Sequence, residues 1–142
     1  MKFKLKNETA TPPPKDYTGK GRKGHYCPLT NEWSPTSKNE VDHLSGNKPF
    51  TDIDDLIPYV VHLMASTDQL QVVNKEAHKI KSYAEKEGIT YTQAAVQKKV
   101  IDLCKGKGDA TEWLVSVGIE PESNAKKRRQ QVYDYLIQQE EL

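Results

Sequence analysis

An acidic residue and a histidine stand side by side at Asp42 and His43, within the segment Glu40-Val41-Asp42-His43, and His78 follows 35 residues after His43. Carboxylate and imidazole groups bind divalent cations of the Mg²⁺, Mn²⁺ and Zn²⁺ classes. An imidazole also titrates near neutrality and can act as a general base. If the fold brings these side chains together, they predict a metal-dependent hydrolytic site.

The elements that must position these residues are two short strands and a helix. The segment that ends at His43 and the run at 69–73 have the β-type residues and turn boundaries of strands. Asn74 is a good N-cap for a helix that carries His78 one turn inside. Successive side chains of a strand point to opposite faces. We therefore expect a twist or bulge to bring Asp42 and His43 into one pocket with the helix.

This pattern resembles the HNH, or ββα-metal, nuclease family. The family has a Glu-x-Asp-His segment, a Leu-Gln stretch, a histidine on a helix, and a nearby lysine and serine or threonine. This chain has Glu40-Val41-Asp42-His43, Leu70-Gln71 and His78-Lys79-Ile80-Lys81-Ser82. The resemblance covers about residues 22–86. It implies an α+β fold with a ββα-metal core, a hairpin plus a helix, to which additional C-terminal helices are added.

The resemblance also implies roles for single residues. Asp42 and His78 would hold one divalent cation, Mg²⁺ or Mn²⁺ foremost with Zn²⁺ as an alternative, and His43 would be the general base that activates water. The middle Asn of the family falls on Gln69, which would hold the metal-binding loop and help to orient the base. Asn74 is the alternative for that task. The two cysteine pairs that brace many relatives are missing, so the hairpin is expected to be held to the helix by packing of Tyr26, Trp33, Leu44, Leu70 and Val73.

The distribution of charge favours a phosphate-bearing partner. The formal net charge is only +1, but residues 1–24 carry seven lysines and arginines against two acidic residues. A second basic block lies at 126–129. Two separated basic clusters are typical of phosphate-binding proteins, although solvated surface charge produces such runs equally often. The residues expected to bind nucleic acid are Arg22, Lys23, Lys81, Lys126, Lys127, Arg128 and Arg129.

A chain of 142 residues fits one compact domain with a single core. We expect three segments: a basic, proline-containing N-terminal arm at 1–24, the nuclease core at 25–88, and a helical extension at 89–142 packed on that core. The prolines Pro12 to Pro14 favour an extended arm. Capping residues and Gly or Pro signals predict three helices in the extension, at Thr92 to about Cys104, Asp109 to about Val117 and Ser123 to about Gln139.

The remaining histidines and cysteines are interpreted as structural. His62 lies in a helical stretch at 53–64 among apolar residues, and His25 lies in the first hairpin, so packing is the expected duty of both. Cys27 and Cys104 form no Cys-x-x-Cys pair, which indicates a reducing compartment. The sequence has no run of some 18 apolar residues to span a bilayer and no signal-peptide pattern. We expect a cytoplasmic protein, or one that acts inside the host cell of a phage.

The expected function is a metal-dependent endonuclease that hydrolyses DNA phosphodiester bonds, of the kind that the resemblance associates with phages and mobile elements. Two alternatives stay open. One is a nucleic-acid-binding module in which Gln69 marks a weak or lost active site, and the other is an RNA-directed nuclease. DNA is the expected partner and a membrane is not, whereas a protein partner or homodimer is undetermined.

Overall fold

The computed structural model describes residues 2–46, 50–105 and 110–140. Over these residues the protein is mixed α+β, with six α-helices and two two-stranded antiparallel sheets. The chain divides into two compact units, Met1–Glu85 and Lys86–Leu142, whereas its length alone favours a single core. No helix in the described ranges is long and apolar enough to cross a membrane.

The first unit contains both sheets. Its elements are α1 (Lys2–Glu8), β1 (Gly24–Tyr26), β2 (Trp33–Pro35), β3 (Asn39–His43), α2 (Leu56–Leu63), β4 (Leu70–Asn74) and most of α3 (Lys75–Glu87). β1 pairs with β2, and β3 pairs with β4. The predicted first hairpin, the strands around Asp42 and Gln71, and the helix that bears His78 are therefore confirmed.

Helix α1 is an element that the sequence did not predict, since the whole of 1–24 was expected to be an extended arm. The segment 2–8 contains no glycine or proline and ends before the proline run. Beyond the helix, Thr11 forms an antiparallel bridge with Gly24 through two backbone hydrogen bonds of 2.8 and 2.9 Å. The start of the chain is thus tied to β1 rather than projecting freely as an arm.

The register of β3 and β4 is regular from end to end. Asn39 lies opposite Asn74 and His43 opposite Leu70, with each intervening residue paired in turn. Of the twist or bulge expected near His43, this register excludes the bulge, and the pleat sends the Asp42 and His43 side chains to opposite faces. β4 leads directly into α3, where the Asn74 side chain accepts a 2.8 Å hydrogen bond from the backbone of Glu76, as the predicted cap requires.

Packing in the first unit differs in part from the expectation. Val73 is fully buried and Leu70 nearly so, as predicted for residues that hold the strands to the helix. Tyr26 and Leu44, which were expected to contribute to the same packing, are 53% and 55% exposed, so that prediction is wrong for both.

Buried polar contacts join the two strand pairs. The Asn39 amide donates to the Ser34 carbonyl at 3.0 Å and its oxygen accepts from the Ser34 hydroxyl, while its nitrogen lies 3.2 Å from Nδ1 of His25. Burial lowers the pKa of His25, which favours the neutral ring whose Nδ1 can accept that hydrogen bond. The Sγ atom of Cys27 accepts from the backbone of Asn74 at 3.4 Å. These contacts link β1 and β2 to β3 and to the start of α3.

Helix α2 follows a short 3₁₀ turn at Ile53–Asp55, so the helix predicted over this stretch is confirmed, with Pro58 in its first turn where proline is tolerated. Of the eight residues of α2, all of which the structure describes, His62 is the buried one. Its apolar neighbours Ile57 and Val61 are 75% and 65% exposed. The predicted packing role of His62 is thus compatible with its burial.

The second unit is built from the last three helices, α4 (Tyr91–Leu103), α5 (Thr111–Ser116) and α6 (Ala125–Glu140), which confirms the three predicted helices. The expected start of α5 at Asp109 lies outside the described residues. Thr90 caps α4 by accepting from the backbone of Gln93 at 3.2 Å. The core of this unit is formed by Val96, Val100, Ala110, Leu114 and Val132.

Candidate functional site

The candidate site lies where β3 faces α3. Glu40 and Asp42 are two residues apart in β3, so their side chains leave the same face of the strand. His78 and Lys81 are three residues apart in α3, which places them on neighbouring positions of one helix face. Because β4 pairs with β3 and continues straight into α3, the helix returns across this face and brings the four side chains together.

His78 lies between two carboxylates. Its Nδ1 is 3.0 Å from Oε2 of Glu40 and its Nε2 is 3.3 Å from Oδ1 of Asp42. When Nδ1–H donates to Glu40, Nε2 is the nitrogen that points at Asp42. A neutral Nε2 and a carboxylate oxygen are both acceptors, so at this distance they repel unless a proton or a cation lies between them. The arrangement therefore favours a positive charge at the Asp42 side of the ring.

The second oxygen of Asp42 is held by two donors. Lys81 Nζ donates to Oδ2 at 2.6 Å and the Gln71 amide donates to it at 3.2 Å. Burial of the carboxylate by itself raises the pKa of Asp42, but the hydrogen bonds from Lys81 and Gln71 and the Lys81 charge outweigh burial and leave the pKa below its usual value. Asp42 is therefore ionised at neutral pH.

Lys81 is part of this site rather than a solvated residue of the helix surface, since its side chain is only 14% exposed. Besides Asp42, it donates to the His43 carbonyl at 2.8 Å and pairs with Glu85 at 3.0 Å. These three acceptors match the three N–H donors of an ammonium group. Burial acts to lower the pKa of Lys81, but its hydrogen bonds and ion pairs with Asp42 and Glu85 prevail and raise it. Its predicted contact with phosphate stays a prediction.

The ring of His43 lies on the other face of β3, where it stacks on His62 of α2. The two ring centroids are 3.9 Å apart and the ring planes differ by 31°. The structure thus brings Asp42 and His78 together as expected, but the expectation that the His43 side chain shares their pocket is wrong. The His43 ring lies against His62, and it is the His43 backbone carbonyl that accepts from Lys81.

Gln69 closes the turn before β4. Its side-chain oxygen accepts from the backbone of Ser66 at 3.2 Å and lies 3.3 Å from the Ser66 hydroxyl. Its backbone carbonyl accepts from Leu44 at 3.0 Å, one residue beyond the end of β3. Gln69 therefore holds a loop next to the site, and its predicted influence on the orientation of His43 stays a prediction.

The other residues expected to bind nucleic acid are on the surface of the two units. Arg22 and Lys23 are exposed immediately before β1, in the unit that contains the site. Lys126, Lys127 and Arg129 are exposed at the start of α6, in the second unit. Arg128 is half-buried and donates to the backbone carbonyl of Glu122 at 2.6 Å.

The separation of Asp42 Oδ1 and His78 Nε2 is that of a direct ion pair, and it can also be compared with the spacing of two ligands on one divalent cation. Two ligand atoms at about 2.1 Å from one cation are separated by about 3.0 Å at an octahedral angle and about 3.4 Å at a tetrahedral one. The observed separation of Oδ1 and Nε2 is 3.3 Å. Glu40 on the far side of the imidazole is the kind of carboxylate that commonly orients a metal-binding histidine. In the described part of the chain, no group of three or more His, Cys, Asp or Glu side chains is arranged to hold a metal ion.

Comparison of the chain with protein-family models, curated proteins and solved structures found no match. The site is therefore interpreted from its own geometry. Sequence reasoning gave no role in the site to two of its members, Gln71, which appeared only as part of the motif, and Glu85. Gln71 is the cross-strand partner of Asp42, which only the register reveals, whereas Glu85 stands four residues after Lys81 and helical spacing would have indicated it.

Proposed function

We propose that the protein is a metal-dependent endonuclease of the HNH, ββα-metal class that hydrolyses DNA phosphodiester bonds. In this proposal β3, β4 and α3 form the ββα-metal core. The observation that carries it is the row Glu40, His78 and Asp42, in which one carboxylate orients the imidazole and the other faces its second nitrogen at 3.3 Å.

The roles of the side chains follow from their contacts. Asp42 Oδ1 and His78 Nε2 would hold the cation, with Glu40 keeping Nε2 aimed at it. The bound cation supplies positive charge that polarises a phosphate oxygen and stabilises the leaving 3′ oxygen. Lys81 and Gln71 hold Oδ2 of Asp42, so Oδ1 stays directed at His78. One imidazole, one carboxylate and several open positions suit Mg²⁺ or Mn²⁺ better than a closed zinc site.

His43 would take the proton of the attacking water on a ring nitrogen. It is the last residue of β3, so we place the scissile phosphate at that end of the strand, where side chains of both faces can reach it. Arg22 and Lys23, exposed in the same unit, would contact the DNA backbone, and so would the basic start of α6. Such contacts make DNA binding fall steeply with salt concentration.

The test is cleavage of supercoiled plasmid with Mg²⁺, Mn²⁺, Zn²⁺ or EDTA. Wild-type protein should nick in a cation-dependent manner, and His43→Ala should lower the rate by about 100-fold or more while the cation still binds, the scale expected of a general base. Lys79→Ala is the matched control, since Lys79 is exposed on the same helix and its ion pair is with exposed Glu76. Lys79→Ala should nick like the wild type, and loss of nicking in His43→Ala purified in parallel excludes a contaminating nuclease as the source.

The outcome also separates the alternatives. DNA binding without cleavage by any cation would refute the nuclease and favour a binding module. Cleavage of RNA in preference to DNA in a substrate comparison would keep the chemistry and replace the substrate. Normal activity of His43→Ala would remove His43 from the role of base.

A further inference from the structure

Helix α2 buries a histidine, while several apolar residues beside it are exposed. His62 is 9% exposed, whereas Ile57, Val61 and Met64 around it are 75%, 65% and 78% exposed. Burying a valine or leucine in that position would stabilise the fold by the full apolar contribution, while burying an imidazole costs free energy of desolvation. Positions that break a local rule in this way are expected at functional sites.

The partner of the buried ring is His43. At 3.9 Å between centroids and 31° between planes, the imidazole of His62 covers one face of the imidazole of His43. A ring at the end of a strand can turn about two side-chain bonds, and the broad preference of the outer bond fixes its plane poorly. A flat neighbouring ring at contact distance restricts rotation about the outer bond. A branched aliphatic side chain in its place would restrict this rotation less.

We propose that His62 is a positioning residue for His43. The His62 ring packs against the His43 imidazole and holds it in the orientation in which His43 accepts the proton of the attacking water. This inference rests on the proposed function, because positioning matters only if His43 acts on substrate. His62 itself is assigned no contact with substrate or cation. When a catalytic group loses its orientation, the rate of the chemical step falls while substrate binding is unchanged. A misplacement of about 1 Å lowers this rate by up to about 100-fold.

The test compares three variants of α2 in the full chain. His62→Leu keeps an apolar side chain of similar size without a flat ring, His62→Phe restores a flat ring without nitrogen atoms, and Val61→Ala changes the exposed neighbour as a control. Plasmid nicking gives kcat and KM for each. The proton shifts of the His43 ring, assigned by nuclear magnetic resonance in metal-free protein, report the stacking directly because a ring at 3.9 Å displaces them.

We expect His62→Leu to lower kcat at least about tenfold with KM unchanged and to move the His43 ring signals. His62→Phe should recover most of kcat, and Val61→Ala should match the wild type. The inference would be overturned if His62→Leu had the kcat of the wild type. It would also be overturned if both variants were folded and His62→Phe lost as much kcat as His62→Leu. If the wild type itself does not nick, the proposed function fails and this inference fails with it. If the wild type nicks and His62→Leu nicks at the same rate, the positioning role is refuted but the proposed function is not.

Discussion

Replacement of Lys81 by methionine removes the charge that neutralises Asp42 while keeping an unbranched side chain. Nζ of Lys81 and Oδ2 of Asp42 are 2.6 Å apart, and the two side chains are 14% and 10% exposed. At an effective dielectric constant of about 20, unit charges at that distance attract by about 6 kcal/mol. Burial of the two ions offsets several kcal/mol of this. Because Gln71 and His78 still contact Asp42 in the variant, we expect Lys81→Met to lose about 2 to 3 kcal/mol of stability.

Thermal unfolding with and without Mn²⁺ measures this loss. For a unit of fewer than 100 residues, each kcal/mol corresponds to at least about 4 °C, so Tm should fall by about 10 °C in metal-free buffer. A cation bound by Asp42 supplies the charge that the variant lacks. At a fixed Mn²⁺ concentration of 100 times the wild-type Kd, the wild type gains about 2.7 kcal/mol, and Lys81→Met, which should bind the cation more tightly, should gain more and show the larger rise in Tm.

Lys79→Met is the matched control, because Lys79 forms a 2.8 Å ion pair with Glu76 in which both side chains are largely exposed. Exposed pairs contribute about 1 kcal/mol or less. Wild-type stability of Lys81→Met would refute the stabilising role assigned to the buried pair. An equal response to Mn²⁺ in variant and wild type would show that Lys81 and a cation do not share Asp42.

Three further predictions concern other contacts. Glu40→Gln should weaken Mn²⁺ affinity by about 10- to 100-fold in calorimetric titration, because Glu40 orients His78; unchanged affinity would contradict this. The pKa of Asp42 lies below its unfolded value, so its stabilisation is present above about pH 4 and is lost as pH falls through the folded pKa. Asp42→Asn should therefore unfold with a flatter dependence on pH below about 4. Leu114→Ala, in the core of the second unit, should cost about 2 to 5 kcal/mol in denaturant unfolding, and a smaller loss would argue against that core.

The elements around the site were predictable because their signals are local. Helix α3 begins at the N-cap Asn74 and is followed by Gly88, which has a positive φ of 65°. The strands are indicated by β-type residues such as those before His43. None of these signals depends on the rest of the chain. The pairing of Asp42 with His78 followed from the motif.

What failed depended on contacts between distant segments. The register that places Gln71 beside Asp42 and turns His43 to the other face is set by pairing across some 30 residues. The depth of Lys81 and the stacking of His62 on His43 arise from how α3 and α2 pack, and neither leaves a periodic trace in the sequence. The apolar pattern at 53–64 predicted the helix, and packing was the expected role of His62, but the sequence did not indicate that the apolar residues beside it would be exposed.

The central claim is that Asp42 and His78 hold one divalent cation. Its most direct test is pulsed electron paramagnetic resonance of Mn²⁺ added to the wild type and to His78→Ala. We predict one bound ion per chain, with nitrogen coupling from a directly bound imidazole in the wild type and loss of that coupling in the variant. A bound ion without nitrogen coupling in the wild type, or with the same coupling in His78→Ala, would contradict the claim.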